Sequence, residues 1–327
     1  MKAVIALLFA SIRYGTPLLL GTTGEIMSEK SGHLNLGVEG MMAIGSIMGY
    51  LAACATDSLF VGILVSFIAA ALSALIYAVL TVTFQANQNV SGLALTTFGL
   101  GLYKFVGLTL ASADKFPKLQ LHPSLAAMTA NTGIPVLRDI PVIGDIFFSH
   151  NILVYISVVI AVVCWIYLTR THPGLKTRAI GENPAAADAS GVNVSLMKYI
   201  NILAGGGITG IGGFYLALIV NGGSWNDTWI NGFGWIAVAL VIFANWSPLK
   251  ATFGSYFFGM LMMLKPYKGN LIEEFPFLSF LSAIPDEFYQ MLPFLITAAI
   301  LVFSSMRKRK NGVQPAACGV NYYREER

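Results

Sequence analysis

Charged side chains are scarce in this chain of 327 residues, where Asp, Glu, Lys and Arg together make up 11% of the sequence. Soluble globular domains carry about 25%. With 56% of its residues hydrophobic, the chain does not have the polar surface that a soluble multidomain protein, a disordered chain or a nucleic-acid binder requires. The composition instead indicates a protein that lies in a lipid bilayer.

Motifs of catalysis and metal binding are also missing. The three cysteines, Cys54, Cys164 and Cys318, have no regular spacing, which argues against a disulfide framework or a zinc site. The sequence holds no P-loop, no H-E-x-x-H and no G-x-S-x-G. We therefore expect no catalytic residue, no metal and no cofactor, and the chain is not expected to be an enzyme.

Glycine is abundant, with 33 residues, and its spacing is informative. The stretch Gly205–Gly210 matches G-x-G-x-x-G, but a dinucleotide site would need a strand before it, and here it lies in an apolar run. Small residues four apart let membrane helices approach closely. A tightly packed helix bundle is predicted from the following sets: Gly45 and Gly49; Gly206 and Gly210; Gly205, Thr209 and Gly213.

Long apolar runs organise the whole chain. A membrane-spanning helix needs about 20 mostly apolar residues, and the sequence predicts an all-α bundle of about nine such helices, within a range of eight to ten. The first run is expected to be a retained membrane segment and not a cleaved signal. The short run at Gly232 could begin earlier, near Trp229. The runs are Ala3–Thr22, Leu34–Cys54, Leu59–Phe84, Val90–Ser112, Ile152–Leu168, Met197–Val220, Gly232–Ala244, Ser247–Leu264 and Phe288–Met306.

The charges that remain predict an orientation. Residues 1–306, the expected membrane domain, carry equal numbers of basic and acidic side chains, and residues 307–327, a basic tail, carry the whole net charge of +4. Because cytoplasmic loops are rich in Lys and Arg, we expect Arg307–Lys310 and the loop Arg170–Lys198 in the cytoplasm. The same reasoning places Thr23–His33 in the cytoplasm and the amino terminus outside.

Polar residues inside the predicted spans are candidates for a substrate path, because they are costly in a membrane and often functional. Glu39 falls one turn after Asn35, beside a break at residues 31–33, and could contact substrate or hold the loop. Trp225 could anchor the chain at the membrane surface or line an external ligand vestibule. The candidate path comprises Asn35, Glu39, Thr96, Thr97, Asn221 and Trp225.

The loop of residues 169–197 is the most specific feature. Residues 171–182 are expected to form a turn, and a short alanine-rich helix is predicted after it. Asn183 suits the N-cap and Pro184 the first helical position, and Gly191 suits the helix end. Such a helix buries little surface by itself, which favours docking onto a partner protein.

These residues carry a resemblance. The run from Gly181 to Val194 resembles the cytoplasmic coupling loop of ABC-importer permeases of the ribose/branched-chain amino acid group, with the pattern G-[EG]-N-x-x-A-A-x-x-x-G-[IV]-N-V. Residues 28–42, SEKSGHLNLGVEGMM, resemble the nucleoside branch, which works with Bmp-type lipoproteins. WIAVAL at 235–240 and WSPL at 246–249 also fit that branch. The resemblance spans about residues 15–305, although the additional first helix of ribose-type permeases is absent.

The resemblance implies the membrane subunit of a type II-like ABC importer in a bacterial plasma membrane. It implies a cytoplasmic ABC ATPase, a second homologous permease in a heterodimer, membrane lipid around the bundle, and an external binding lipoprotein that delivers a nucleoside. The residues implied in ATPase coupling are Gly181, Glu182, Asn183, Ala186, Ala187 and Gly191.

Two other interpretations remain open at this point. The substrate of an ABC permease could be a simple sugar or a branched-chain amino acid. Alternatively, the chain could be an ion-coupled secondary transporter that needs no ATPase, with Glu39 or Lys104 as its coupling group.

Overall fold

Helices make up nearly all of the regular structure. The computed structural model describes residues 2–230, 232–306 and 314–323, and no β-strand occurs within these ranges. Short π-helical turns extend α3 and α9. The helices are α1 (Lys2–Lys30), α2 (Val38–Thr56), α3 (Leu59–Ala78), α4 (Gln88–Ser112), α5 (Pro123–Thr129), α6 (Ile152–Arg170), α7 (His172–Glu182), α8 (Pro184–Ala189), α9 (Val194–Tyr215), α10 (Phe233–Phe243), α11 (Pro248–Glu274) and α12 (Asp286–Met306).

The predicted all-α membrane bundle is confirmed. Six helices, α1 to α4, α6 and α9, are long and apolar enough to cross a membrane, and α10 is a shorter apolar helix. The last two predicted spans correspond to α11 and α12. Lipid accounts for the large apolar side chains exposed on the outside of the bundle, such as Phe60 on α3, Phe105 on α4 and Phe253 on α11.

The core of the bundle forms around α1, α2 and α9. Helix α1 packs against α6, α9, α10 and α11, and α2 packs against α3, α4 and α9. Helices α3, α4 and α6 bury only one side, as expected for helices at the rim. The three central helices therefore decide where the polar groups of the interior lie.

Glycine sets the distances between these central helices. A Cβ on Gly24 of α1 would lie 2.3 Å from the carbonyl oxygen of Gly205 on α9. A Cβ on Gly45 of α2 would lie 2.4 Å from the Cα of Gly210. Helix packing is thus the role of the Gly205–Gly210 motif, as predicted from its apolar surroundings.

Several boundaries differ from the sequence predictions. Helix α1 does not end at Thr22 but continues to Lys30, so most of the expected cytoplasmic segment Thr23–His33 is helical. The expected turn over residues 171–182 is the helix α7, with Pro173 in its first turn. Helix α11 ends at Glu274 and not at Leu264, whereas α10, with 11 residues, keeps the predicted limits and does not begin earlier near Trp229.

We predict that Gly213→Ala destabilises the bundle. The new Cβ would lie 1.9 Å from the backbone oxygen of Met42 on α2, and overpacking of this kind costs about 1–3 kcal/mol. Thermal unfolding in detergent measures the effect. Gly101→Ala on α4 is the control, because its Cβ would meet no atom within 4 Å; equal stability of the two variants would contradict the prediction.

Candidate transport and coupling sites

Helix α10 begins inside the bundle. Helix α9 and its π-helical turn cross the bundle, residues 221–230 form turns and irregular backbone, and α10 runs from Phe233 toward the end that carries α8. Broken helices of this kind often form substrate sites in transporters, because their free backbone groups face a cavity.

The carboxylate of Glu39 caps the start of α10. Its Oε1 accepts a hydrogen bond from the Gly232 N–H at 2.7 Å, and its Oε2 accepts from the N–H groups of Gly234 at 2.7 Å and Trp235 at 3.2 Å. The side chain is buried, at 4% exposure. A negative charge is favourable at a helix N-terminus, so Glu39 holds the broken helix in place.

Asn35 and Glu39 do not share a helix face, contrary to the sequence prediction. Helix α2 begins at Val38, and Asn35 lies in the connection before it. The Asn35 backbone N–H donates to Glu25 Oε1 at 2.8 Å, and its side-chain oxygen accepts from the Gly37 N–H. Asn35 therefore shapes the loop, and Glu39 points to α10.

Two buried acids near this loop escaped the sequence analysis. Glu25 and Glu29, on the last turns of α1, are 1% and 2% exposed. Glu29 accepts a hydrogen bond from the Trp246 indole N–H, between α10 and α11. In the loop itself, burial lowers the pKa of His33 well below its usual range, and the charge of Lys198 adds to this. The sequence analysis did not predict this polar cluster because it ended the first helix at Thr22, whereas α1 continues to Lys30.

The remaining intramembrane candidates, on α4, differ in exposure. The hydroxyl of Thr96 is buried and donates to the Leu36 carbonyl at 2.8 Å. Thr97 lies on the exposed outer face of α4 and donates to its own helix, at Leu93. Lys104 lies on the same exposed face.

Trp225 belongs to an aromatic cluster at the end of the bundle opposite α8. The ring centroids of Trp225 and Trp229 are 5.4 Å apart, and Tyr103 lies 5.0 Å from Trp225. Asn221, at the edge of this region, bonds to the Leu216 carbonyl of its own turn. Trp225 is only half-buried. The outer aromatic cluster consists of Tyr50, Tyr103, Phe116, Trp225 and Trp229.

The predicted short helix is present as α8. The Asn183 side chain accepts from the Ala186 N–H at 3.0 Å, and Pro184 occupies the first turn, as predicted. Gly191 follows the helix at φ +80°, a conformation that favours glycine. The helix is thus well defined at both ends.

The six coupling candidates lie close together, but four of them are exposed and two are buried against the bundle. Glu182, Asn183, Ala186 and Gly191 are exposed. Ala187 is buried against Ile180 and Val194, and Gly181 is buried against the end of α1. The exposed members can contact a partner, and the buried pair fixes α7 and α8 on the bundle.

The candidate substrate-path residues therefore do not form one pocket. Asn35 lies near the α8 end, Glu39 and Thr96 lie further in, and Trp225 lies at the opposite end. A polytopic bundle with a broken inner helix and two short, exposed helices at one end is the architecture of a transport permease.

Comparison with known proteins gives the family. Residues 7–301 match the family described as the permease component of branched-chain amino acid transport systems, and the chain belongs to this family. It is a transport subunit and not an enzyme, and its permease role implies an ATPase partner.

Several relatives are similar over almost their whole length. The guanosine ABC transporter permease NupQ of Bacillus subtilis is 34% identical over 97% of this chain and 96% of its own. The nucleoside permease NupC of Lactococcus lactis is 31% identical, over 96% and 95%. The putative glucose permease TsgC13 of Haloferax volcanii is 32% identical over 99% of each chain. No solved structure matches.

We predict that Glu39→Gln lowers both stability and transport. The amide has one oxygen for three N–H donors, and its NH₂ group would face a donor. A buried polar group left unsatisfied costs about 1–3 kcal/mol. Thermal unfolding and substrate uptake measure the two effects.

Glu273→Gln is the control for Glu39→Gln, because Glu273 is exposed at the end of α11. Wild-type stability and uptake of Glu39→Gln would show that the carboxylate is not needed to hold α10.

Proposed function

We propose that the chain is the membrane-spanning subunit of an ATP-driven importer of nucleosides. The observation that carries this proposal is its near full-length similarity to permeases named for guanosine and nucleosides, at 34% and 31% identity. Residues 28–42, 235–240 and 246–249, which resemble the nucleoside branch, support the same substrate class.

Helices α7 and α8 suit the transmission of force from an ATPase. Gly181, in the last turn of α7, is packed so tightly that a Cβ there would lie 2.4 Å from the Lys30 carbonyl of α1. In the proposed mechanism, closure of the ATPase pushes on the exposed side of α8. Because α8 contacts α7 and α9, and α7 contacts α1 and α9, the push would tilt the central helices and switch access from one side of the membrane to the other.

The proposed assembly contains a second, similar permease and an external binding lipoprotein. The exposed face of α4, with Thr97 and Lys104 among apolar residues, offers a surface to the second permease or to lipid. The amino terminus lies outside and the carboxyl terminus in the cytoplasm in this proposal, since the loop of residues 170–198 carries four basic residues and the tail of residues 307–327 carries the net positive charge of the sequence. The outer aromatic cluster then faces the lipoprotein.

A sugar is the second candidate substrate, because the glucose permease TsgC13 is as similar as the nucleoside permeases. Aromatic side chains such as Trp225 can stack on a nucleobase, which favours the nucleoside.

We predict ATP-dependent nucleoside uptake by the reconstituted importer. Proteoliposomes that hold this chain, the second permease and the ATPase, supplied with the external binding lipoprotein, should take up labelled guanosine, and excess uridine or adenosine should compete more strongly than glucose. Stronger competition by glucose would show that the substrate is a sugar and not a nucleoside. Uptake that needs an ion gradient but no ATPase would overturn the ABC mechanism.

We predict that Ala186→Trp prevents ATPase association without unfolding the permease. Ala186 is exposed on α8, so an indole there would obstruct docking while leaving the buried Ala187 contact intact. Co-purification of the ATPase measures the effect.

Ala127→Trp is the matched control, because Ala127 is exposed on the short helix α5 at the opposite end. This variant should retain the ATPase. If the ATPase co-purified fully with the Ala186→Trp permease, α8 would not be part of the docking surface.

A further inference from the structure

Residues 314–323 fold back onto the coupling helices, although their sequence predicts no function. We call this segment the strap. The Ala317 N–H donates to the Gly181 carbonyl at 2.8 Å, and Pro315 of the strap is buried. Burial raises the pKa of the Cys318 thiol to about 12. The strap thus lies against the junction of α7 and α8.

Asn321 joins the strap to the connection between α3 and α4. Its Nδ2 donates to the carbonyl oxygens of Gln85, at 2.5 Å, and Ala86, at 3.2 Å. Its Oδ1 accepts from Gln88 Nε2 at 3.1 Å. Gln88 in turn accepts from the Leu34 N–H of the α1–α2 loop at 2.9 Å. Two side-chain amides, of Asn321 and Gln88, therefore link the strap to the α3–α4 connection and to the α1–α2 loop.

Tyr322 joins the strap to α8. Its hydroxyl donates to Asp188 Oδ2 at 2.9 Å, and its ring packs on the small cluster formed by Ile180, Ala187 and Val194. This is the same cluster that seats the buried side of α8. The strap consequently contacts α8 and the loops beneath it at the same time.

The strap and α8 enclose an open cleft of about 360 Å³. Residues 182–185 form one wall, and strap residues 316, 317 and 320–323 form the other. Val320 is 60% exposed and Tyr323 is 43% exposed. Both lie outside the membrane-spanning helices, where lipid does not explain an exposed apolar side chain.

We propose that the strap is the second half of the surface on which the ATPase docks, with α8 as the first half. This inference rests on the proposed role of α8 in coupling. The occupant is the ATPase because the cleft continues directly from the exposed face of α8, and because exposed apolar residues beside a docking helix are typical of a protein interface. A partner that binds both α8 and the strap would move α8 together with the α3–α4 connection, to which Asn321 is hydrogen-bonded.

Cysteine labelling in the assembled importer tests this proposal. Val320→Cys, Ala186→Cys and Val136→Cys are made one at a time in a chain whose native cysteines are replaced by alanine. Each purified permease is treated with a maleimide, alone and in complex with its ATPase. Val136 is exposed in the loop at the opposite end and serves as the control.

We expect the ATPase to abolish most labelling of Val320→Cys and Ala186→Cys and to leave Val136→Cys unchanged. Adding Asn321→Ala should restore labelling of Val320→Cys in the complex, since the strap would no longer be held. Protection of Ala186→Cys without protection of Val320→Cys would overturn the strap proposal and leave the coupling role of α8 intact. Protection of neither would overturn both.

Discussion

A helix that begins inside a bilayer leaves backbone N–H groups where no water can satisfy them, and each unsatisfied group costs several kcal/mol. In this protein the carboxylate of Glu39 on α2 meets that requirement for α10, through Gly232, Gly234 and Trp235. The cap fixes the start of α10 close in sequence to Trp225 and Trp229 of the outer aromatic cluster.

Close packing brings Glu39 to α10. A Cβ on Gly234 would lie 2.5 Å from the Cα of Glu39, so the two backbones approach as near as glycine permits. On the other side of α2, Gly40 faces Gly99 of α4 equally closely. Because α2 is fixed by such contacts from two sides, the carboxylate has little freedom to move away from α10.

Local patterns in the sequence predicted the features that depend on local chemistry. The apolar runs predicted the membrane bundle, and Asn183 with Pro184 predicted the start of α8. Features that depend on distant residues were missed. The partner of Glu39 lies 193 positions away, and Glu29 looked like a solvated loop residue because Trp246, its partner, is equally remote in the sequence. The position of the strap could not be predicted for the same reason, since its hydrogen-bond partners, Gln85, Gln88 and Asp188, are remote in the sequence.

The last turns of α1 connect the two sites. Gly181, beside α8, packs against the Lys30 carbonyl. One residue earlier Glu29 accepts a hydrogen bond from Trp246, which follows α10, and one turn before that Glu25 accepts from the loop that leads into α2. A displacement of α8 therefore acts on a helix end that is bonded to both partners of the internal cap, α2 and α10. Since packed interiors are not continuously deformable, such a displacement would move α2 and α10 relative to each other, at the place where the broken helix begins.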